Sequence, residues 1–455
     1  MAGSPSSAPV WLGMDDTDSP RGGCTTFTLT EVVRAAHELG LDLLGEPRLV
    51  RLNPNVPFKT RGNAALAARF GLGRGPRRRQ GVGPAGPIWS YARGRGPAPE
   101  LRRRFIDRAW EVVRKSSRLG EEGTDPALVA SERALPSSLY RAAVSRLVDR
   151  SSVEHLLLAA GAVVHAEGSR QGLVGAAAAL AWPAGRSTWE LISYRPAGRW
   201  GERRTLDAES VRTAQRRYSD LFLCHDARTR RLLVAPHTTC PILFGLRSLH
   251  RAALSPAFGH VRSEPVERWM IFRTNQGTGD HLVKREVMDL QPFDSARLRG
   301  VVTAAPRTLE GGHVRWPIVG RDGGIVECIA FEPTKILPRV AEDLVAGDRV
   351  EVWGGRGSDP IFRVEGLRLL ARAAYGGRPR APRCDACGRP TRSLGRLRGF
   401  RCPGCRARYP PERGEWRRET RFPIGTYHPT PSARRHLAPL GPETQASAAH
   451  GRLLA

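Results

Sequence analysis

The stretch "WLGMDDTDSPRGGCTTFTL", residues 11–29, decides how the chain is read. A short apolar run ends in three aspartates, Asp15, Asp16 and Asp18, in a chain whose formal net charge is +28. "PVWLGM" has the character of a buried strand, and "TTFTLTEVVRAAHELG" has helical spacing with Gly40 placed to stop it. A strand that ends in clustered carboxylates is a common place for Mg2+ and a nucleotide in an α/β sheet. Alternate residues share a face on an extended segment, so the cluster offers one or two metal ligands rather than three. The competing reading is a turn, with Asp18 capping "SPRGG". Gly22 and Gly23 expose backbone N–H groups suited to phosphate. Thr25 and Thr26 follow at the helix N-terminus, where a hydroxyl caps the helix, binds phosphate or accepts it. Cys24 reads as a packed thiol.

Outward from this motif, residues 10–185 read as one α/β unit. "EPRLVRLNP" is a second strand. "NAALAARFGLG" is taken as a helix with Asn63 as its N-cap, and "GRGPRRRQGVGPAGP" as an exposed loop. In "NPNVPFKTRGN", Lys59 and Arg61 lead into that helix start, a setting for phosphates as much as an ordinary solvated loop. "PELRRRFIDRAWEVVRKSSRLG" and "PSSLYRAAVSRLVDRSSVEHLLLAAG" have helical spacing. "GSRQGLVGAAAALAW" is a glycine-led helix in which Gly172 serves either a phosphate or close packing on the sheet. His165 reads as a strand-end histidine.

Residues 186–292 give the order βαββαβ, a ferredoxin-like arrangement. Its elements are "TWELISYRP", a helix capped by Asp207, "LFLCHDA", "RRLLVAPH", a helix at "CPILFGLRSLHRAAL", and "VERWMIFRTNQ". Asn275, Gln276, Asp280 and His281 cluster at the end of the last strand, as a turn or as a site for a polar or cationic ligand. Residues 293–375 carry five strands of the length expected in an OB-fold barrel. Residues 376–440 hold Cys384, Cys387, Cys402 and Cys405 as two CxxC pairs fourteen residues apart. Four thiolates on two knuckles suit tetrahedral Zn2+ and a zinc ribbon.

The 455 residues carry 40% hydrophobic content, enough for real cores. The positive charge is almost all arginine, and the sequence pI is about 11.2, which favours nucleic acid as a partner. Residues 376–421 alone hold fourteen arginines against four acids. No apolar run reaches the roughly 18 residues of a membrane span, and the N-terminus lacks the pattern of a signal peptide. With its other four cysteines scattered, the chain reads as cytoplasmic, with one metal site and no disulfide framework. Nothing in the sequence calls for an obligate protein partner or a membrane.

The motifs "GMDDTDSPRGGCTTF", "RLVRLNPNVPFKTRGNAAL", "GSRQGLVGAAAA", "CPILFGLR" and "RTNQGTGDHL", followed by a barrel and a four-cysteine ribbon, resemble the archaeal agmatidine synthetase family. The resemblance runs from about residue 10 to residue 440. It implies a kinase-like domain, a ferredoxin-like domain, an OB-fold and a zinc ribbon, in that order. It implies a ligase that uses ATP, Mg2+ and Zn2+ and acts on the isoleucine tRNA with anticodon CAU. The wobble cytidine O2 is phosphorylated and displaced by agmatine, giving 2-agmatinylcytidine, AMP and two phosphates. The resemblance also makes Thr25 an autophosphorylated residue. Asp15, Asp16 and Asp18 become catalytic. Gly22, Gly23, Thr26, Lys59, Arg61, Asn63 and Gly172 become nucleotide-binding. A dicationic amine needs carboxylates or carbonyls, for which Asn275, Gln276 and Asp280 are the candidates.

Two other readings differ in class. A non-enzymatic OB-fold and zinc-ribbon protein fits the charge but leaves "DDTDSPRGGCTT" unexplained, since carboxylates repel phosphate unless a metal intervenes. A small-molecule kinase leaves the basic C-terminal region without purpose. The ribbon assignment predicts about one zinc per chain by metal analysis; iron, or no metal, overturns it.

Overall fold

The computed structural model describes residues 8–59, 62–373, 381–395, 398–414 and 420–441. Thr60, Arg61 and residues 374–380, 396, 397 and 415–419 lie outside the described residues. The first region contains β1 (Val10–Asp15), α1 (Thr25–Glu38), β2 (Asp42–Arg51), β3 (Ala64–Gly83), β4 (Gly86–Arg95) and α2 (Pro99–Ser116). It continues with β5 (Ala127–Ser131), α3 (Ser137–Ser145), α4 (Arg150–Ala159), β6 (Val163–Ala166) and α5 (Gly172–Ala181). The second adds β7 (Thr188–Tyr194), α6 (Ala208–Arg217), β8 (His225–Asp226), β9 (Arg231–Leu232), β10 (Ile242–Ser248), α7 (Leu254–His260) and β11 (Arg268–Thr274). Their long strands form one nine-stranded sheet in the order β10-β7-β11-β2-β4-β3-β1-β5-β6. The first two regions therefore share a sheet, joined where β11 runs parallel to β2.

β1 shows how the faces are filled. Val10, Leu12 and Met14 pack with α1 and α2, in a core that includes Leu29, Val33, Phe105 and Val113. Gly13 and Asp15, one step out of phase, face α5. That helix lies very close: a Cβ on Gly13 would stand 2.3 Å from the Ala176 carbonyl oxygen. A Cβ on Gly175 would stand 1.7 Å from Asp15 Oδ2. The glycines and the alanine run of α5 exist for this approach, as the packing alternative for Gly172 anticipates.

Several expectations are corrected. "NAALAARFGLG" is not a helix but the first half of β3, paired with β1 and β2 on both sides. Asn63 caps no helix; its Nδ2 donates to the Asn53 carbonyl. The arginine- and glycine-rich segment is not a loop but the β3–β4 hairpin, in which exposed Arg74 lies directly opposite exposed Arg93. "CPILFGLR" is a strand, β10, and the helix α7 comes after it. The strands expected at "LFLCHDA" and "RRLLVAPH" shrink to a two-residue pair, β8–β9, outside the main sheet. The expected βαββαβ order thus gains a strand, and three long strands, β10-β7-β11, stand where four were expected. "PSSLYRAAVSRLVDRSSVEHLLLAAG" is two helices, α3 and α4; β5 was not foreseen, and β6 is the strand that carries His165.

The third region follows expectation closely. It comprises β12 (Val283–Lys284), β13 (Ser295–Val302), β14 (Arg307–Thr308), β15 (Val314–Gly320), β16 (Ile325–Ala330), α8 (Ile336–Glu342), β17 (Arg349–Arg356) and β18 (Ile361–Ala371). β13, β17, β18, β16 and β15 pair in sequence, and β15 returns to β13, so the five strands close into a barrel. The ribbon has β19 (Arg392–Ser393), β20 (Phe400–Arg401) and β21 (Arg408–Tyr409). Past it, β22 (Gly425–Tyr427) pairs with β18, and the chain turns back toward the first region. There Gly277 N donates to the His436 carbonyl at 2.8 Å and Gly279 N to the Leu437 carbonyl at 2.8 Å. Asn53 Nδ2 donates to the Phe293 carbonyl at 2.7 Å and Asn55 Nδ2 to Ser295 Oγ at 2.8 Å, fixing the barrel against the first region.

Gly13→Ala forces a methyl group into the α5 backbone. It is expected to cost about 1–3 kcal/mol or more, read as a lowered denaturant midpoint; an unchanged midpoint would contradict the close packing.

Candidate active site

The acidic motif sits where β1 ends beneath the N-terminal turn of α5. Asp15 Oδ1 accepts from Asp16 N at 2.8 Å, and Asp16 takes a left-handed φ of +60°, which aspartate tolerates better than most residues. Asp16 Oδ2 accepts from Asp125 N at 3.3 Å. Asp125, in turn, accepts from Ser169 N at 2.8 Å. Burial, then the neighbouring acids, push the Asp15 carboxyl well above the usual range and the Asp16 carboxyl up to about 7. Two half-buried acids held this way are a poor arrangement without a cation and a good one with it. Among the described residues, the three aspartates do not converge as a ready-made cage; only the four cysteines do.

The turn after the acids belongs to Ser19: its N and the Gly22 N bond across Ser19–Gly22, and its Oγ accepts from Arg21 N. Neither threonine caps α1. The N-cap is Cys24, with no side-chain cap bond. Thr25 Oγ1 accepts from Thr17 Oγ1 at 3.1 Å, and Thr26 Oγ1 lies 3.0 Å from the Cys24 sulfur, buried as expected.

Two cavities meet here. The first is lined by Asp15, Asp16, Lys59, Asn63, Gly172 and Gly175, with Val56, Phe58 and Leu147 as an apolar wall. The N-terminus of α5 opens into it, which suits phosphate. Lys59 Nζ donates to the Pro54 and Val56 carbonyls at 2.6 and 3.0 Å. The second is lined by Thr25, Thr26, Arg51, Glu190, Arg247 and His436. Asp18, Gly62 and Ala64 line both, so the cavities share a wall at Asp18. Gly22 and Gly23 line neither.

Asn275, Gln276 and Asp280 also lie behind the walls rather than on them. Asn275 is fully buried and brackets Arg51, accepting from its N at 2.7 Å and donating to its carbonyl at 2.9 Å. Gln276 Nε2 donates to Glu190 Oε2, and its Oε1 faces His436 Nδ1 at 3.0 Å. Asp280 accepts from the Tyr140 hydroxyl at 2.8 Å. Glu190, 4% exposed at its side chain, also meets Arg247 at 3.2 Å and Arg51 at 3.8 Å. Sequence reasoning missed Arg51, Asp125, Glu190, Arg247 and His436. A lone acid in the apolar strand "TWELISY" is a signal for Glu190. Nothing local marks His436, which arrives from the far side of the ribbon.

In the ribbon, the sulfurs of Cys384, Cys387, Cys402 and Cys405 all lie within 4.8 Å of one another, the spacing of a tetrahedral metal site.

Sequence profiles of the TiaS TCKD domain, the TiaS FLD domain and the TiaS C-terminal zinc ribbon domain match residues 11–168, 170–281 and 381–419. The isoleucine-2 tRNA 2-agmatinylcytidine synthetase TiaS of Archaeoglobus fulgidus is 35% identical over 441 residues, covering 94% of this chain and 96% of the relative. The chain belongs to the TiaS family. The Methanopyrus kandleri TiaS is likewise 35% identical, over 446 residues and 95% of its own length. Two solved TiaS structures match over 95% of this chain and 96% of theirs, each with TM-score 0.77. One is the complex of TiaS with the isoleucine-2 tRNA and ATP, at 32% identity. The other is the complex with the same tRNA, AMPCPP and agmatine, at 31%.

The acids of this TiaS-family site carry a stability signature. Asp16 ordinarily titrates near 3.8 and here near 7, so the stability it adds at low pH is lost as pH rises through that window. Asp16→Asn keeps an oxygen for Asp125 N and the same tolerance of left-handed φ. In metal-free, mildly alkaline buffer it is expected to stabilise the protein by up to about 4 kcal/mol while abolishing turnover. A variant that melts earlier than wild type would contradict the charge burial.

Proposed function

We propose that this chain is an ATP-dependent carbon–nitrogen ligase that installs agmatine on the wobble cytidine of the CAU-anticodon isoleucine tRNA. What carries the reading is the pair of cavities sharing Asp18, in a chain that a TiaS enzyme matches over 94% of its length. ATP occupies the first cavity. Its phosphates lie toward the α5 N-terminus and Lys59, and its base lies toward Val56, Phe58 and Leu147. Mg2+ is held by one or two of Asp15, Asp16 and Asp18 and supplies the charge neutralisation that phosphoryl transfer requires. The flipped cytidine reaches the junction at Asp18.

The γ-phosphoryl group passes to the cytidine O2, making that oxygen a leaving group. Agmatine in the second cavity forms the new C2–N bond as the C2–O bond breaks and inorganic phosphate departs. Transfer of the γ-phosphoryl group leaves ADP, and water cleaves its α–β anhydride to give AMP and a second phosphate. Asp18 supplies negative charge to the cationic end of agmatine, while Glu190, paired with Arg51 and Arg247, fixes the wall. Asn275, Gln276 and Asp280 hold that wall from behind. Thr25 lines the second cavity, which supports reading it as the phosphate-accepting hydroxyl that the family resemblance implies.

The barrel's strand order, with α8 between β16 and β17 and a parallel β16–β18 pair, supports an OB-fold reading. β10-β7-β11 with α6 and α7 supports a modified ferredoxin-like unit. No helix among the described residues is long and apolar enough to cross a membrane, in keeping with work on tRNA in the cytoplasm.

The test is direct. The protein is incubated with ATP, Mg2+, agmatine and the CAU isoleucine tRNA transcript, and digested nucleosides are read by mass spectrometry. Agmatine-modified cytidine is expected, and unmodified cytidine beside an active relative overturns the reading. Mg2+ is expected to raise the melting temperature of wild type and not of Asp16→Asn. Equal shifts in both would remove Asp16 from the metal site.

A further inference from the structure

The chain does not end its work at the ribbon. Residues 425–441 run along the barrel and cross back to the first two regions. Leu437 is 2% exposed, Arg435 binds Glu365 at 3.0 Å and Asn55 Oδ1 at 2.9 Å, and His436 enters the second cavity. Four groups fix the chemistry of that histidine. Glu190 carries only acceptors, so the Gln276 amide must turn its NH2 toward it. That leaves Gln276 Oε1 facing His436 Nδ1 at 3.0 Å, and Nδ1 must be the protonated nitrogen. Arg51 foremost, and then Arg247, hold the exposed imidazole well below its usual titration range. Nε2 is then a bare lone pair. It lies on the side of Gly62, where an added Cβ would come within 3.6 Å of it, and Gly62 is one of the residues shared by the two cavities.

We propose that His436 is a substrate-contacting residue of the ligase, whose Nε2 accepts a hydrogen bond from the primary amine of agmatine and aims that nitrogen at the cavity junction. This rests on agmatine occupying the second cavity. The same two arginines that keep His436 neutral also disfavour an ammonium beside them, so the amine meets the acceptor in its uncharged, nucleophilic form. Glu190, Gln276 and His436 act as one chain: the carboxylate orients the amide, the amide sets the tautomer, and the tautomer presents the lone pair.

Steady-state kinetics on the full-length protein test this. His436→Ala is expected to lower kcat/KM for agmatine by about tenfold or more, with KM for ATP and Kd for tRNA within about twofold of wild type. His436→Gln, which keeps an acceptor, recovers part of the loss, and His436→Phe, which fills the space without one, does not. Should the alanine variant fold poorly, the glutamine and phenylalanine variants carry the comparison. Agmatine kcat/KM unchanged in folded His436→Ala or His436→Phe overturns the proposal. So does a uniform loss for all three substrates without rescue by glutamine, which marks a purely structural strap. Absence of agmatine transfer by the wild-type protein would instead overturn the function itself.

Discussion

The approach of α5 to β1 is the constraint on which the rest depends. A helix of glycines and alanines lies so close to the strand that Gly13 and Gly175 have no room for a methyl group. The closeness leaves the Asp15 carboxylate half-buried, with the helix N-terminus beside it. Negative charge there is held less cheaply than in water, so burial and the neighbouring acids keep the Asp15 and Asp16 carboxyls protonated to higher pH than usual. The acids alone, on a looser scaffold, would be an ordinary solvated cluster.

What could be read from the sequence follows the same physics. β1, α1, α2, α5, the five barrel strands and the cysteine knuckles are legible because periodicity or ligand chemistry dominates them. "NAALAARF" misleads because alanine favours helix intrinsically, whereas here pairing on both flanks decides for a strand. The hairpin after it misleads because glycine, proline and arginine advertise a loop, yet its ladder is anchored by pairing with β11 at Gly81 and Val82. "CPILFGLR" is a short apolar run of the kind that periodicity cannot separate between helix and strand. The acids of the site were visible locally. Its second wall was not, since Arg51, Glu190, Arg247 and His436 come from segments far apart in the chain.

The charge of the chain also reads differently once placed. Not every arginine is offered to RNA. Arg195 is fully buried against Glu264. Arg204 gathers the carbonyls of Pro236, Thr238, Cys240 and Ile242, and Arg48 lies 4.3 Å over the Trp11 ring. These guanidinium groups staple irregular backbone, a task their five donors suit better than lysine's single ammonium. The surface available to a polyanion is therefore smaller than the net charge suggests, and includes the β3–β4 hairpin and the ribbon.

The return of residues 425–441 to the cavity has a consequence for how the protein comes into being. The wall that holds His436 is completed only by chain synthesised after the barrel and the ribbon. The first cavity draws its lining from residues 15–175 alone, whereas the second includes His436. Of the two cavities, the second is therefore the one whose wall is finished later along the chain.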